Sequence, residues 1–490
     1  MSYLLALACG ALLPLSLAPF GWWPLGLVAV GGWFGLLQSS SSRGWLIGWL
    51  FGFGKYIVGI SWVYVSIHDY GNASPPLAAF LVLLFAGGLA VFPMLNAWLF
   101  QRLRSIGAPH LDAWLFVCLF VGFEWLLTWF LTGFPWLYPA YAHIDTALAG
   151  FAPVGGVLLV SFALVASTCF AVAGYLAQRK TGLLIAAVSP WVLGALLTQM
   201  NWVTPAASRS VALVQGNIDQ AVKWLPESRM PIIETYRALS EPHWGTDVMV
   251  WPEAAITVMA HDAGSVLQAL HERAEQAQTA LVLGLPALER LPGDEIVFRN
   301  TVVGIGTAQG RYVKRRLVPF GEYVPLEDWL RGLIELFNLP MSHATPGAWR
   351  QPLLRLGGGQ RAAMAICYEI IYPGLVREQA RRADVLITIS NDSWFGASVG
   401  PLQHMQMAQM RALENGRWLL RDTNNGVTAI VDHRGTIVAQ LPQFTADVLI
   451  GHYRQMHGHT PYSRFGDRPL LAVLGVGLLF SGWRRYRAGN

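Results

Sequence analysis

The sequence predicts two parts built for different solvents: an α-helical membrane domain and a polar domain of mixed α/β structure. Of the 490 residues, 54% are hydrophobic and only 13% are charged, whereas soluble proteins average roughly 25% charged residues. Nearly all the Asp, Glu, Lys and Arg side chains lie between Ser208 and Arg468. Within that polar part, short β-branched runs alternate with amphipathic helical segments, a pattern typical of layered α/β domains.

Seven apolar segments in the first 200 residues and an eighth near the carboxyl end predict eight membrane-spanning helices, since a bilayer core of about 30 Å needs about 20 apolar residues. The first segment has no Lys or Arg ahead of it and no clear cleavage site. We therefore expect it to be a retained span rather than a signal peptide. The predicted spans are residues 3–20, 22–39, 44–66, 76–100, 111–131, 148–177, 183–200 and 469–483.

The basic residues of the short loops set the orientation. They all fall on one side of the membrane if there are eight spans, whereas loops 68–76 and 132–146 contain no Lys or Arg. Because basic loops stay in the cytoplasm, we expect both termini there and the polar domain on the outer, periplasm-like side. The expected domains are residues 1–202 with seven spans, 203–466 as the polar domain, and 467–490 with the eighth span. The basic loop residues are Arg43, Arg102, Arg104, Arg179, Lys180, Arg484, Arg485 and Arg487.

Charge and cysteine usage exclude several classes of function. The net charge of +5 reflects membrane topology, so we expect no nucleic-acid partner. We find no Cys/His cluster with zinc spacing and no Walker-type glycine loop, and therefore expect no metal and no cofactor. Three cysteines lie in apolar segments, which leaves Cys367 alone in the polar domain and excludes a disulfide framework there.

The polar domain is predicted to place its reactive groups where strands end. Strands are predicted at residues 210–218, 247–256, 280–288, 301–306, 362–370, 384–390 and 428–432, and helices at 227–240, 264–279, 373–382 and 400–416.

Three predicted strand ends or adjoining turns contain a side chain that could take part in catalysis. Cys367 closes the apolar run AAMAI, Glu253 follows the run DVMV, and Lys314 leads into a loop that holds Glu322. Each also has an ordinary structural explanation: a buried thiol, a helix N-terminal charge or a solvated basic run. A carboxylate, a cation and a thiol together are the groups that a nucleophilic cysteine site requires.

The order Glu, Lys, Cys in these contexts resembles the nitrilase superfamily of carbon–nitrogen hydrolases, over roughly Ser208 to Tyr453. The motifs LVPFGEYVP, NDSWFG, HMQMAQMRALENGR and RDTNNGVTAIVDHRG, together with the membrane half, resemble a membrane-embedded branch of it, the apolipoprotein N-acyltransferase family. The resemblance implies a nitrilase-like αββα sandwich inserted between transmembrane helices seven and eight.

The resemblance also implies roles for individual residues. Glu253 would be the general base, Lys314 the cation that supports the oxyanion, and Cys367 the nucleophile. The backbone N–H of Tyr368, which follows the nucleophile, is expected to be a second oxyanion donor.

Further positions match the family around this triad. Glu322 and Glu369 would orient Lys314 and an incoming amine, with local ion pairs to neighbouring arginines as the alternative. Trp224 and Asn300 align with positions close to the site, although packing explains Trp224 equally well. His404 is a single histidine on a helix and is expected to be structural.

Two segments have open interpretations. The aromatic loop 132–144, which contains Trp136, is predicted either as an aromatic belt at headgroup level or as a substrate platform or lipid gate. Residues 338–349 are predicted as a lid over an acyl pocket or an ordinary surface loop. The apolar side chains just before them predict an arm that dips into the bilayer surface; they are Leu330, Leu333, Ile334, Leu336 and Phe337.

The implied activity is ping-pong acyl transfer at a bacterial inner membrane, with the catalytic domain in the periplasm. Cys367 would take an acyl chain from a phospholipid as a thioester and pass it to the α-amine of a diacylated apolipoprotein. One alternative is a membrane-tethered amidase that uses water as the acceptor. Another is a transport or binding protein whose outer domain is a degenerate sensor, which we disfavour because the spans show no paired charges of the kind that ion pathways use.

Overall fold

The computed structural model describes residues 1–39, 43–105, 107–177, 180–323 and 344–489, and the chain divides into two compact units. The helical unit comprises Met1–His68, Ser74–Trp202 and Thr460–Asn490, and the sheet unit comprises Asp69–Ala73 and Val203–His459.

The helical unit is built from apolar helices that approach one another closely where glycine replaces a larger residue. A Cβ at Gly10 would lie 2.0 Å from the carbonyl oxygen of Phe51, and one at Gly54 would lie 2.3 Å from that of Leu7. Only glycine therefore permits this contact between the first and third helices. The helices are α1 Ser2–Leu12, α2 Pro24–Ser39, α3 Gly44–Gly59, α4 Val63–Val65, α5 Pro75–Leu89, α6 Val91–Leu103, α7 Pro109–Leu126, α8 Ala152–Ala177, α9 Lys180–Leu197, and, after the sheet unit, α14 Pro461–Phe465 and α15 Arg468–Gly489.

Every predicted span contains a helix, but within the described residues only three helical segments are long and apolar enough to cross a membrane. A fourth is possible if two helices bent by 63° form one span. The count of eight spans therefore stays a prediction. The three segments are Pro75–Leu103, Pro109–Leu126 and Ala147–Ala177, and the bent pair is Gly44–Gly59 with Val63–Tyr70.

Two buried residues of opposite charge lie within this unit. Lys55 of α3 is 5% exposed, Glu124 of α7 is 3% exposed, and the two groups interact electrostatically. Tyr138 donates a hydrogen bond to the backbone oxygen of Glu124. The sequence did not predict this interaction, because it does not reveal which helices are neighbours.

The aromatic residues of the loop 132–144 are buried inside the helical unit. Trp136, Tyr138 and Tyr141 are each at most 1% exposed. The ring of Trp136 lies 4.9 Å from that of Trp62, and Tyr138 stacks on Tyr141. A belt at headgroup level requires rings that face lipid, so that interpretation is wrong for these three side chains.

The sheet unit contains two six-stranded sheets. The strand order is β12-β1-β2-β3-β4-β5 in the first sheet and β11-β10-β9-β8-β7-β6 in the second. Strands β1, β2 and β3 are parallel, as are β7, β8 and β9. The strands are β1 Val203–Gln215, β2 Val248–Val250, β3 Ala280–Arg290, β4 Ile296–Gly306, β5 Gly310–Val313, β6 Leu354–Arg355, β7 Arg361–Ile366, β8 Val385–Ser390, β9 Leu419–Thr423, β10 Ala429–Val431, β11 Ile437–Gln440 and β12 Asp447–Gly458.

Alternate residues of β1 bury opposite faces of the first sheet. Val211 and Leu213 belong to a core shared with the second sheet, including Ile387, whereas Ala212 and Val214 face helices. This two-sided burial, worth about 1.5–3 kcal/mol for each large side chain, produces helix, sheet, sheet and helix layers. The covering helices are α10 Arg229–Ser240, α11 Gly264–Gln276, α12 Pro373–Ala380 and α13 Gly400–Asn415.

The predicted helices and strands are present, with two kinds of correction. The strands β5, β6, β9, β11 and β12 were not predicted; β12 is an edge strand with many exposed residues, so its apolar pattern is weak. Strands β2 and β7 also end earlier than predicted, at Val250 and Ile366. The chain has therefore left the sheet before it reaches Glu253 and Cys367.

Candidate active site

The chemistry-bearing residues lie directly after strands. Cys367 is the first residue after β7, Lys314 the first after β5, and Asn391 the first after β8, while Glu253 follows β2 by three residues. Carboxyl ends of parallel strands gather at one edge of a sheet. The two sheets thus bring a carboxylate, a cation and a thiol together.

Lys314 is held between two carboxylates. Its Nζ lies 3.2 Å from Oε1 of Glu253 and 2.9 Å from Oε1 of Glu322, and the lysine side chain is 1% exposed. Burial lowers the pKa of Lys314, but the charges of Glu253 and Glu322 outweigh burial and raise the pKa above its ordinary value. The lysine is therefore a permanent cation.

The carboxylate of Glu253 is fixed through both of its oxygens. Oε1 accepts a hydrogen bond from the side-chain amide of Asn300 at 2.7 Å, and Oε2 accepts one from the backbone N–H of Asn391 at 2.8 Å. The ammonium of Lys223 donates to the backbone oxygen of Glu253 at 3.1 Å. Burial lowers the pKa of Lys223 to about 8, against the opposing effect of Glu253. The side chain of Asn300 thus lies in direct contact with Glu253.

Cys367 occupies a backbone conformation that L-residues rarely adopt. Its φ is +52°, and the residue is partly exposed, so the turn presents the thiol at the end of β7. Burial and the negative charge of Glu253 raise the pKa of the thiol, and they outweigh the opposing effect of Lys314. The resting group is therefore a neutral thiol, and its attack requires a base.

A buried network supports the nucleophile from behind. His404 of α13 is 1% exposed, and its Nε2 lies 3.2 Å from the carbonyl oxygen of Cys367. Its Nδ1 lies 3.2 Å from Asp392 and 3.1 Å from the guanidinium of Arg421. Arg421 donates to Asp392 at 2.7 Å. The hydroxyl of Ser390 donates to the same aspartate at 2.6 Å.

Asp392 remains ionised in this network. Burial raises its pKa, but the charge of Arg421 and the hydrogen bond from Ser390 hold the pKa well below its usual range. Burial and the charge of Arg421 lower the pKa of His404.

Glu369 binds backbone rather than arginine side chains. Its carboxylate accepts hydrogen bonds from the N–H groups of Arg315 at 2.7 Å, Arg316 at 3.1 Å and Ile366 at 2.8 Å, and from the hydroxyl of Tyr312 at 3.0 Å. These donors belong to the residues flanking Lys314 and Cys367. Burial raises the pKa of Glu369, partly offset by these N–H groups. Among the described residues, Glu369 therefore neither contacts Lys314 directly nor forms an ion pair with an arginine side chain.

The remaining predicted residues lie in different places. The N–H of Tyr368 is the first after the nucleophile, and its ring packs on Tyr372 at 5.4 Å. Trp224 is half-buried in the turn that holds Lys223. Trp136 belongs to the helical unit. Residues 324–343, with the predicted arm and the first part of the predicted lid, lie outside the described residues.

Comparisons with known proteins show which family the chain belongs to. A carbon-nitrogen hydrolase family model matches residues 210–461, and a model for the apolipoprotein N-acyltransferase N-terminal domain matches residues 9–170. The chain is 46% identical to an apolipoprotein N-acyltransferase of Pseudomonas aeruginosa (strain UCBPP-PA14), over 98% of this chain and 95% of the relative. The chain belongs to the apolipoprotein N-acyltransferase family.

Other known proteins are similar to all or part of this chain. An apolipoprotein N-acyltransferase of Azotobacter vinelandii is 46% identical over 99% of this chain and 95% of its own length. Among solved structures, Nit3 of Saccharomyces cerevisiae, a member of branch 10 of the nitrilase superfamily, is 18% identical with a TM-score of 0.39, covering 52% of this chain and 92% of Nit3. The carbon-nitrogen hydrolase match confirms the nitrilase-like domain within the apolipoprotein N-acyltransferase chain.

Several residues of the site were not predicted from the sequence. Lys223, Asn391, Ser390, Asp392 and Arg421 all contact Glu253 or the network behind Cys367. Three of them lie in the quoted motifs NDSWFG and RDTNNG, so family resemblance marked the segments. Only the structure shows which side chains those segments turn inward.

Proposed function

We propose that this member of the apolipoprotein N-acyltransferase family moves an acyl chain from a phospholipid, through a thioester on Cys367, to the α-amine of a diacylglyceryl-cysteine apolipoprotein. The observation that supports it is the arrangement around Glu253: a fixed carboxylate paired with Lys314, both acting on the charge state of the Cys367 thiol. A base, a cation and a thiol are the groups that acyl transfer through a cysteine requires.

In the first half-reaction, Glu253 accepts the thiol proton as Cys367 attacks the ester carbonyl of the phospholipid. The carbonyl oxygen becomes an oxyanion, which the ammonium of Lys314 and the N–H of Tyr368 stabilise. The tetrahedral species collapses to the thioester, and protonated Glu253 gives its proton to the departing alkoxide. A lysophospholipid leaves, and Glu253 is again ionised.

In the second half-reaction, the free α-amine of the lipidated cysteine attacks the thioester carbonyl. Glu253 removes the amine proton, the same two donors hold the oxyanion, and the Cys367 thiolate leaves and regains the proton. Glu322 keeps Lys314 in place through the 2.9 Å contact, while the half-buried Trp224 is proposed to contact the lipidated substrates. Trp136 is buried within the helical unit, so we do not propose a substrate contact for it.

We also propose the membrane arrangement that the charge pattern predicts. Eight helices span a bacterial inner membrane, both termini are cytoplasmic, and the sheet unit lies in the periplasm between spans seven and eight. Both proposed substrates are anchored in the bilayer, which suits an enzyme held at its surface. Cysteine labelling of engineered positions in loops 68–76 and 43–44 from one side of intact vesicles tests this orientation.

The test of the chemistry is mass spectrometry of the full-length protein after incubation with phospholipid. We expect an acyl mass on the peptide that contains Cys367, its loss on addition of a diacylated peptide with a free amine, and no adduct in the Cys367→Ala variant. The amidase alternative predicts an adduct that water removes equally fast with or without the peptide. That outcome would reject the acyltransferase assignment.

A further inference from the structure

A cavity at the other end of the sheet unit has a strongly positive lining. It has a volume of about 300 Å³ and is lined by Arg361, Arg381, Arg382 and Arg417, with Asp384 as its one acidic residue. His457 and His459 add imidazoles, and its apolar side chains are only those of Ala383 and Met456. A small, polar and cationic cavity suits an anion rather than an acyl chain.

The acidic residues nearby leave most of this charge uncompensated. Arg361 is paired with Asp384 at 3.6 Å, and Arg382 with Glu378 at 3.0 Å, through side chains that are about half exposed on the arginine side. Arg381 forms no ion pair with any residue that the structure describes. Exposed pairs of this kind are weak, so an anion can recruit Arg381 and Arg382 without breaking a strong contact.

Arg417 forms the rigid back of the cavity. The residue is 3% exposed, and its guanidinium donates to the backbone oxygens of Ala383 and Gly458, both at 2.7 Å. Burial lowers its pKa to about 10 despite the favourable charge of Asp384. Because the guanidinium of Arg417 is held by neutral backbone carbonyls and not by a carboxylate, its positive charge remains available to attract an anion.

The cavity is separate from the candidate active site. Arg361 begins β7 and Cys367 follows its end, so the strand separates them by about 20 Å at a rise of roughly 3.3 Å per residue. An ester next to a phosphate bound at the arginines does not reach the thiol. A ligand here therefore has a role other than acyl donor.

The chain leaves the sheet unit at this cavity. Gly458 and His459 line it, and Thr460 already belongs to the helical unit. On the other connection, Val203, the first residue of β1, pairs with Gly458. Both covalent links to the helical unit thus begin beside the arginines.

We propose that this cavity binds the phosphate of an anionic phospholipid headgroup, as a lipid site distinct from the acyl-donor site. The arginines supply bidentate donors for the phosphate oxygens, and the lack of apolar lining leaves the acyl chains outside the cavity.

The test measures binding of short-chain phosphatidylglycerol to the full-length protein in neutral detergent. We expect the Arg381→Ala/Arg382→Ala double variant to bind roughly tenfold to thirtyfold more weakly than the wild type, the effect of two lost phosphate contacts. Arg417 is left intact because its backbone contacts support the fold. The matched control is Arg237→Ala/Arg290→Ala, which removes two exposed arginines with surface pairs in the same unit and is expected to bind like the wild type.

Three further measurements are needed to interpret the binding result. Acyl transfer in neutral detergent and the melting temperature are expected to be unchanged in the Arg381→Ala/Arg382→Ala variant, which separates this site from the proposed active site. Inorganic phosphate is expected to compete only weakly. Equal binding of phosphatidylglycerol by wild type and double variant would overturn the proposal, as would inorganic phosphate that binds at least as tightly as the lipid.

Discussion

The imidazole of His404 lies 3.2 Å from the carbonyl oxygen of Cys367, so a helix on the outer face of the second sheet contacts the backbone of the candidate nucleophile. The contact falls at a residue with φ of +52°, where backbone strain must be offset by surrounding interactions. His404 is in turn connected to the buried Asp392 and Arg421 pair. Its position makes it a positioning residue for the proposed reaction.

Replacing His404 with alanine is expected to lower kcat by about 10- to 100-fold, because small displacements of a nucleophile are costly. KM should change little, since His404 does not reach the surface of the site. The rate of iodoacetamide labelling at Cys367 should fall in parallel.

His404→Gln, which keeps a donor for the carbonyl, is expected to recover part of kcat. A positioning role would be contradicted if His404→Gln had a kcat as low as that of His404→Ala while Cys367 was labelled at the wild-type rate. The control is His452→Ala, which changes an exposed histidine of β12.

Glu253→Gln is expected to separate two effects of one carboxylate. Its negative charge raises the pKa of the Cys367 thiol, so neutralising it should shift the pH dependence of thiol ionisation downward. Acyl-enzyme formation should nevertheless fall about 10²- to 10⁴-fold, because the general base is gone. The measurements are thiolate absorbance and thioester yield across pH. An upward shift of thiol ionisation in this variant would show that the carboxylate does not act on Cys367.

Lys314→Met is expected to destabilise the protein by about 3–5 kcal/mol, because it leaves two buried carboxylates without their cation. Lys314 also lowers the pKa of Cys367, so its loss should move thiol ionisation to higher pH. Thermal unfolding and thiolate absorbance measure the two effects. Adding Glu322→Gln to Lys314→Met removes one of the stranded carboxylates and should restore part of the stability without restoring acyl transfer.

Glu369→Gln is expected to lower the melting temperature strongly. The carboxylate accepts hydrogen bonds from three backbone N–H groups and one hydroxyl. The amide NH₂ of glutamine is itself a donor, so it cannot accept the hydrogen bonds that one carboxylate oxygen accepts now. Each lost hydrogen bond to the charged group costs about 1.5–3 kcal/mol. Glu378→Gln removes partly exposed contacts to Arg315 and Arg382 and should change stability far less. Similar melting temperatures for the two variants would refute this account of Glu369.

The sequence predicted the layered sheet unit well because its strands are buried on both faces. Residues such as Val211 and Ala212 face different apolar layers, which makes the strand a continuous apolar run. The same logic fails for β12, which is an edge strand with many exposed side chains. The sequence also could not show the electrostatic interaction between Lys55 and Glu124, because it joins helices that are distant along the chain.

The candidate site was predictable in its strand ends but not in its supporting groups. Glu253 and Cys367 each follow an apolar run, so a local pattern marks them. Lys314 follows β5, which was not predicted, and only its family motif marked it. Asn391 contributes a backbone N–H, and His404 contributes a contact to a backbone oxygen. A contact made by the backbone leaves no pattern in the side chains of the sequence. Which turns lie close together depends on how the two sheets pack, and the sequence does not show that packing.

The antiparallel pairing of Val203 with Gly458 joins the first and last strands of the sheet unit side by side. A domain whose ends are neighbours can enter a loop of another structure without forcing that loop open. The connection from α9 to α14 therefore need be no wider than an ordinary hairpin. Such a geometry makes the sheet unit a transferable module: a short linker across the paired ends should let it be grafted to a different membrane anchor, or closed on itself as a soluble protein.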